Sequence, residues 1–261
     1  MLIAPLLLFV VVTFVVPILS MLFRSVENDI VPDTIPGVVT ELAEWDGSTG
    51  VPPSEEVFRY LYLDLFKASE AKQHTRLGTR LNYEKTGLSS LLRTTGRSLD
   101  DVGEEWQDPL EDIDANFKDG AFWYQMMSGT DGEDLLEERR DLWAAMVGES
   151  MGGDVGFVPS EQVAQMLPWT TRAYTDFAIW TAIEEEDTVA EEDPWESVYG
   201  ALGMDLTTPE TVTAIQSYTG PGADALKAAA ANVGQLPQTG FREAFAAENE
   251  DWLSPDVWAT I

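Results

Sequence analysis

The chain has 261 residues, 15 basic and 46 acidic, for a formal net charge of −31, and 44% of it is hydrophobic. That much apolar material, with 9 Trp and 11 Phe, can fill a core, so the composition is not that of a disordered chain. The absence of cysteine excludes disulfides, thiolate metal sites and a cysteine nucleophile, and the acidity opposes binding to nucleic acid phosphates.

Leu2 to Phe23 contains no charged residue. As a helix it would reach about 33 Å, enough to cross a hydrocarbon core of about 30 Å. Nothing basic precedes it and the apolar run is longer than a signal-peptide core, so it reads as a retained anchor over residues 1–26. Thr13 and Ser20 can bond back to their own helix, and Pro17 predicts a kink. Arg24 is the nearest basic residue, on the C-terminal flank, and gives little information on orientation because long domains translocate largely regardless of charge.

Residues 27–53, with Pro32, Pro36 and Gly37, read as an extended linker. Residues 54–261 then form an acidic domain, with a possible break into two subdomains near 100–130. Charge divides the chain: 9 basic and 11 acidic residues precede position 100, while 6 basic and 35 acidic follow. Ser54 is placed as an N-cap, and Val57, Phe58, Leu61, Leu65 and Ala68 follow at helical spacing to about Ala71. Further helices are predicted over Leu88–Leu99, with Gly96 as a weak point, over Asp134–Val147, and from Ser160 to about Glu184 with an interruption at Pro168. Thr208-Pro209 opens another that Gly220-Pro221 stops. Ala223–Val233 is followed by Gly234 as a C-terminal stop, and Ser254-Pro255 opens a last short helix. No alternating run supports a sheet, so the expected class is mainly α. Phe117, Phe122 and Trp123 match Trp252, Val257 and Trp258 in spacing, each set after an acidic stretch, although three positions do not make a duplication.

The search for chemistry finds no catalytic, cofactor-binding or metal-binding residue to nominate. His74 is the only histidine, which leaves no His-based triad or zinc set. Asp112, Asp114 and Asn116 begin like a calcium loop, but Phe117 stands where glycine is needed and Trp123 where a bidentate Glu is needed. Ser69-Glu70-Ala71-Lys72 and Lys85-Thr86-Gly87 match two motifs of penicillin-binding enzymes, yet they nearly abut and the third motif is missing. The tryptophans are of a kind that can cage a cation, although core packing is their commoner use. Nothing here supports an enzyme.

The anchor is more specific. Pro5-Leu6-Leu7-Leu8-Phe9, Phe14-Val15-Val16-Pro17 and Leu22-Phe23-Arg24-Ser25 resemble the first transmembrane helix of bacterial ABC-transporter permease subunits of the spermidine/putrescine type. Leu42-Ala43-Glu44-Trp45-Asp46-Gly47 with Val51-Pro52-Pro53, and Arg80-Leu81-Asn82-Tyr83-Glu84 with Gly87-Leu88-Ser89-Ser90-Leu91, look like the start of the large periplasmic insertion that some members carry. Asp251–Ile261 resembles the stretch before the second membrane helix, whereas residues 120–247 match nothing in that family. The resemblance implies the N-terminal part of a permease in the bacterial inner membrane, with its bulk in the periplasm. Implied partners are a second permease subunit, an ABC ATPase, a periplasmic solute-binding protein and the lipid bilayer, serving the import of polyamines or similar solutes. The later membrane helices and the coupling loop of that family do not occur in these residues. A single-span, membrane-anchored periplasmic adaptor is the alternative. On either reading the acidic domain is expected to be an accessory surface, with no tight solute pocket of its own.

Overall fold

A computed structural model describes residues 8–19, 29–129, 157–182 and 189–261. The described residues are mainly α-helical and contain no strand. The predicted helix Asp134–Val147, the end of the one predicted from Ser160, and both flanks of the apolar stretch Leu2–Phe23 lie outside them.

The first helix, α1, spans 8–19. Its middle, Val11–Val15, is a π-turn, in which Val16 N–H bonds to Val11 O. Pro17 explains the turn, because its ring crowds the carbonyl four residues back and it supplies no N–H. Thr13 Oγ1 bonds back to Phe9 O at 2.6 Å, as expected of a hydroxyl in an apolar helix. The described residues of α1 reach about 18 Å, and no helix among the described residues is long and apolar enough to cross a membrane.

The segment expected to be an extended linker is helical. Helix α2 (Ile30–Thr34) and helix α3 (Pro36–Leu42) bury Val31, Ile35 and Val38 in the core. The prolines misled because each lies within a first turn, where a missing N–H leaves no helical bond unmade. Next come α4 (Glu55–Glu70), α5 (His74–Leu81), α6 (Leu88–Ile113) and α7 (Gly120–Ser128). Ser54 precedes α4 as predicted, but its side chain makes no capping bond. Helix α6 runs far past the expected Leu99 and through the proposed subdomain break. Gly96 and Gly103 do not weaken it. They are points of close approach, where an added Cβ would meet His74 in one case and Tyr62 and Glu196 in the other.

The second half holds α8 (Glu161–Met166), α9 (Pro168–Trp180), α10 (Glu196–Leu206), α11 (Pro209–Ser217), α12 (Ala223–Ala231), α13 (Phe241–Glu248) and α14 (Pro255–Trp258). Ser160 caps α8 through Val163 N, and Pro168 divides α8 from α9 at the expected place. Gly234 is not a helix stop. It lies inside a 3-10 turn, Val233–Gln235, that follows α12.

These halves are two copies of one arrangement. Val31, Ile35, Pro36 and Val38 correspond to Val163, Leu167, Pro168 and Thr170. The hinge residues Ile35 (φ −131°, ψ 59°) and Leu167 (φ −124°, ψ 66°) share one conformation. Glu55, Val57, Leu61, Asp64 and Leu65 of α4 recur identically as Glu196, Val198, Leu202, Asp205 and Leu206 of α10. Gly87 and Gly222, at φ 104° and 75°, precede α6 and α12, so both helices start from a backbone that favours glycine. The long α6 is matched by α12 and α13 together. Asp114 and Asn249 then each start a 3-10 turn by accepting from the amide two residues on, at 3.0 and 2.9 Å. Trp123 Nε1 donates to Phe117 O at 2.9 Å and Trp258 Nε1 to Trp252 O at 2.7 Å. The faint spacing match in the sequence is therefore one end of a duplicated unit.

The copies are related in a two-fold manner, the relation that brings equivalent residues into mutual contact. Trp106 and Phe241 are equivalent and stack on each other, centroids 6.0 Å apart and planes 5° from parallel. Tyr62 packs on Phe241 at 4.9 Å, while its counterpart Gly203 leaves room for Trp106. A small residue thus faces the larger ring and a large residue the smaller one. Helix α10 packs chiefly on α6, and α4 packs on both α6 and α13, so the repeats share one core. A Cβ at Gly203 would overlap the Trp106 ring. Gly203→Ala is therefore expected to destabilise the chain by about 1–3 kcal/mol through overpacking. At Gly234 no atom lies within 4 Å of an added Cβ, and Gly234→Ala should stay within about 0.5 kcal/mol of the parent. Urea denaturation of the two variants measures the contrast.

Candidate functional site

Where a helix begins inside a core, its first amides need acceptors that water cannot supply. Helices α3 and α9 both begin at an exposed proline and turn at once into the core at Gly37 and Val38 or at Thr170, and the acceptor in each repeat is a carboxylate in the C-terminal half of the next helix. Asp64 Oδ2 accepts from Gly37 N at 2.8 Å and from Val38 N at 3.0 Å. Asp205 Oδ2 accepts from Thr170 N at 2.8 Å and from the Thr170 hydroxyl at 2.7 Å, with Trp169 N 3.3 Å from Oδ1. The side chains are 4% and 1% exposed, so both charges sit out of water.

The two carboxylates differ in what balances them. Asp64 faces Arg172, whose Nη2 lies 2.6 Å from Oδ1 and whose guanidinium stands 4.8 Å from the centre of the Tyr60 ring. Burial raises the Asp64 pKa, and Arg172 and the two amides oppose that rise. Asp205 has no ion pair at hydrogen-bond distance among the described residues. Burial pushes it from 3.8 to about 7, against the pull of Thr170, Trp169 and, more weakly, Arg59.

Next to Asp64 a cleft of about 640 Å³ opens between the repeats. The equivalent prolines Pro36 and Pro168 both line it, with Pro159, Ala68 and Ala164 adding apolar wall. Its charged groups are Asp33, Asp64, Lys67, Arg172 and Asp176, its polar lining includes Thr171, and Lys67 Nζ pairs with Asp176 Oδ1. Sequence reasoning missed Asp64, Asp205, Thr171 and Arg172. The available signal was an acid embedded in an apolar helical run, Leu61 to Leu65, and its reappearance in Leu202 to Leu206.

The residues weighed from sequence are engaged elsewhere. Ser69 Oγ donates to Gly96 O at 2.9 Å, Lys72 takes a left-handed φ of 55°, and Lys85 pairs with Asp256 at 3.5 Å, which leaves no serine–lysine dyad. Asp114 caps its 3-10 turn, and among the described residues no group of three or more His, Asp or Glu is placed to hold a metal ion. His74 is half-buried against Gly96, and its Nδ1 has no partner among the described residues. Trp106, Trp123, Trp252 and Trp258 are core residues, and Trp252 Nε1 donates to Thr95 Oγ1 at 2.9 Å. Compared with protein-family models, curated proteins and solved structures, the chain matches none.

The raised pKa of Asp205 gives stability a defined slope. Between 3.8 and about 7 the folded chain holds a proton that the unfolded chain has released, so the contribution of this group is greatest at acid pH and is lost as pH rises toward and through 7. The loss is at most about 1.4 kcal/mol per pH unit in that window. Asp205→Asn carries no titrating group there. Urea midpoints at several pH values from 5 to 8 should fall less steeply for this variant than for the parent. Parallel curves would show that Asp205 is ionised throughout.

Proposed function

We propose that this chain is a membrane-anchored subunit of an ATP-driven importer, of the permease class, for polyamines or similar small organic solutes. Its acidic, duplicated helical domain stands on the extracytoplasmic side. The observation that carries the reading is α1. Leu8, Phe9, Val12, Phe14, Val16 and Ile18 are each more than half exposed, with no protein surface covering them among the described residues. An apolar helix bare on all sides belongs in lipid or against other apolar helices. It lies within the uncharged stretch Leu2–Phe23, whose length suits a bilayer. The resemblance of that stretch, and of Leu42–Gly47 and Arg80–Glu84, to permeases of the spermidine/putrescine type supplies the class and the orientation. A second reading, an anchored extracytoplasmic adaptor, is favoured by the single continuous core that the two repeats share.

Two measurements test the proposal. The intact protein should remain in the membrane fraction after carbonate washing, and release without detergent would refute an integral anchor. Because the chain has no cysteine, Tyr83→Cys, at a site 82% exposed, provides one thiol for topology. A membrane-impermeant maleimide should label it in intact cells. Labelling only after lysis would place the domain on the cytoplasmic side. Co-purification of an ABC ATPase from gently solubilised membranes separates the permease reading from the adaptor.

A further inference from the structure

We propose that the cleft between the repeats is a binding site for a small zwitterion, a molecule of amino-acid size with a carboxylate, an ammonium group and an apolar body. The inference goes beyond the importer reading and does not depend on it, since every group it uses lies between residues 33 and 176.

The carboxylate end follows from Thr171 and Arg172. Thr171 lines the cleft and is 9% exposed, and its Oγ1 is buried without a hydrogen-bond partner among the described residues. Leaving a buried hydroxyl unsatisfied is unfavourable unless something completes it. Arg172 is the next residue on α9. One nitrogen is fixed by Asp64 and the guanidinium is packed over Tyr60, so the group is held in place before any ligand arrives. Its side chain remains 32% exposed, so that part of the guanidinium can meet a carboxylate in the planar geometry that arginine favours.

The ammonium end follows from the acids. Asp176 pairs with Lys67, which is 49% exposed and able to swing away, and Asp33 is exposed at the same cleft. The −31 charge of the chain decides between ligand classes. A plain anion is repelled over its whole approach, and a plain cation gains nothing from Arg172. A zwitterion approaches without net repulsion and matches both ends. The prolines and alanines of the wall suit an apolar side chain between the two charged ends.

Isothermal titration calorimetry of the full chain in detergent tests this with L-leucine and L-proline as zwitterions, butanoate as the carboxylate alone and butylamine as the ammonium alone. The proposal expects one-to-one binding of at least one amino acid, and binding of each single-charge probe at least about tenfold weaker, since each lacks one charge-assisted contact. Thr171→Val separates binding from folding. It removes an unsatisfied hydroxyl, so the thermal midpoint of the free chain should hold or rise, while amino-acid affinity falls about tenfold. No binding of either amino acid at millimolar concentration would overturn the proposal. So would equal affinity for butanoate or butylamine, or an affinity unchanged in Thr171→Val.

Discussion

Two helices of this protein run from an exposed proline straight into its core, and the packing around them supplies their buried first-turn amides with an acceptor. Pro36 and Pro168 fix the direction of the chain at these starts and remove one donor each, but the following N–H groups still need oxygen. Asp64 and Asp205 provide it from the C-terminal halves of α4 and α10, at hydrogen-bond distances of 2.8 to 3.3 Å. A buried carboxylate is costly unless it is well bonded. Each therefore ties its apolar helix to one position and rotation, with Val57, Leu61 and Leu65, or Val198, Leu202 and Leu206, turned into the core.

From that shared plan the repeats diverge in electrostatics. The first balances its acid with Arg172, borrowed from the second repeat, and keeps the carboxylate paired. In the second, burial raises the acid to about 7, because Thr170, two amides and the weaker pull of Arg59 oppose that rise only in part. The asymmetry has a spatial counterpart. Arg172 reaches across to Asp64 along the wall of the cleft, and the cation needed by one repeat becomes a feature of the groove between them.

Much of the helical layout was legible from local chemistry. Ser160, Thr208-Pro209 and Ser254-Pro255 mark helix starts where the structure has them, and the apolar period from Val57 to Ala68 defines the buried face of α4. The failures have physical causes. Pro32 and Pro36 read as breakers although a proline in a first turn interrupts nothing. Gly96 reads as a weak point because sequence does not show His74 lying against it. The spacing match covers only three positions near the end of each repeat, although Glu55, Val57, Leu61, Asp64 and Leu65 also recur as Glu196, Val198, Leu202, Asp205 and Leu206; exchanges such as Tyr62 for Gly203, which preserve combined volume with the partner ring and not residue type, hide the rest of the duplication. The buried acids were hidden for a simpler reason: among 46 acidic residues, two more in any pattern carry no distinction until burial separates them.

The way the repeats exchange partners also bears on how the chain is made. Trp106 in α6 waits for Phe241 and Gly203, Phe58 for Phe245 and Trp258, and Thr95 for Trp252. As the polypeptide leaves the ribosome, the first repeat emerges with its large aromatic surfaces lacking the groups that will cover them. Closure depends on contacts between residues about a hundred or more positions apart, a topology that slows folding. Until the last helices are synthesised, the nascent first half carries sticky apolar faces of the kind that chaperones hold. The high density of acidic side chains then has a further use, since like charges keep such unfinished chains apart.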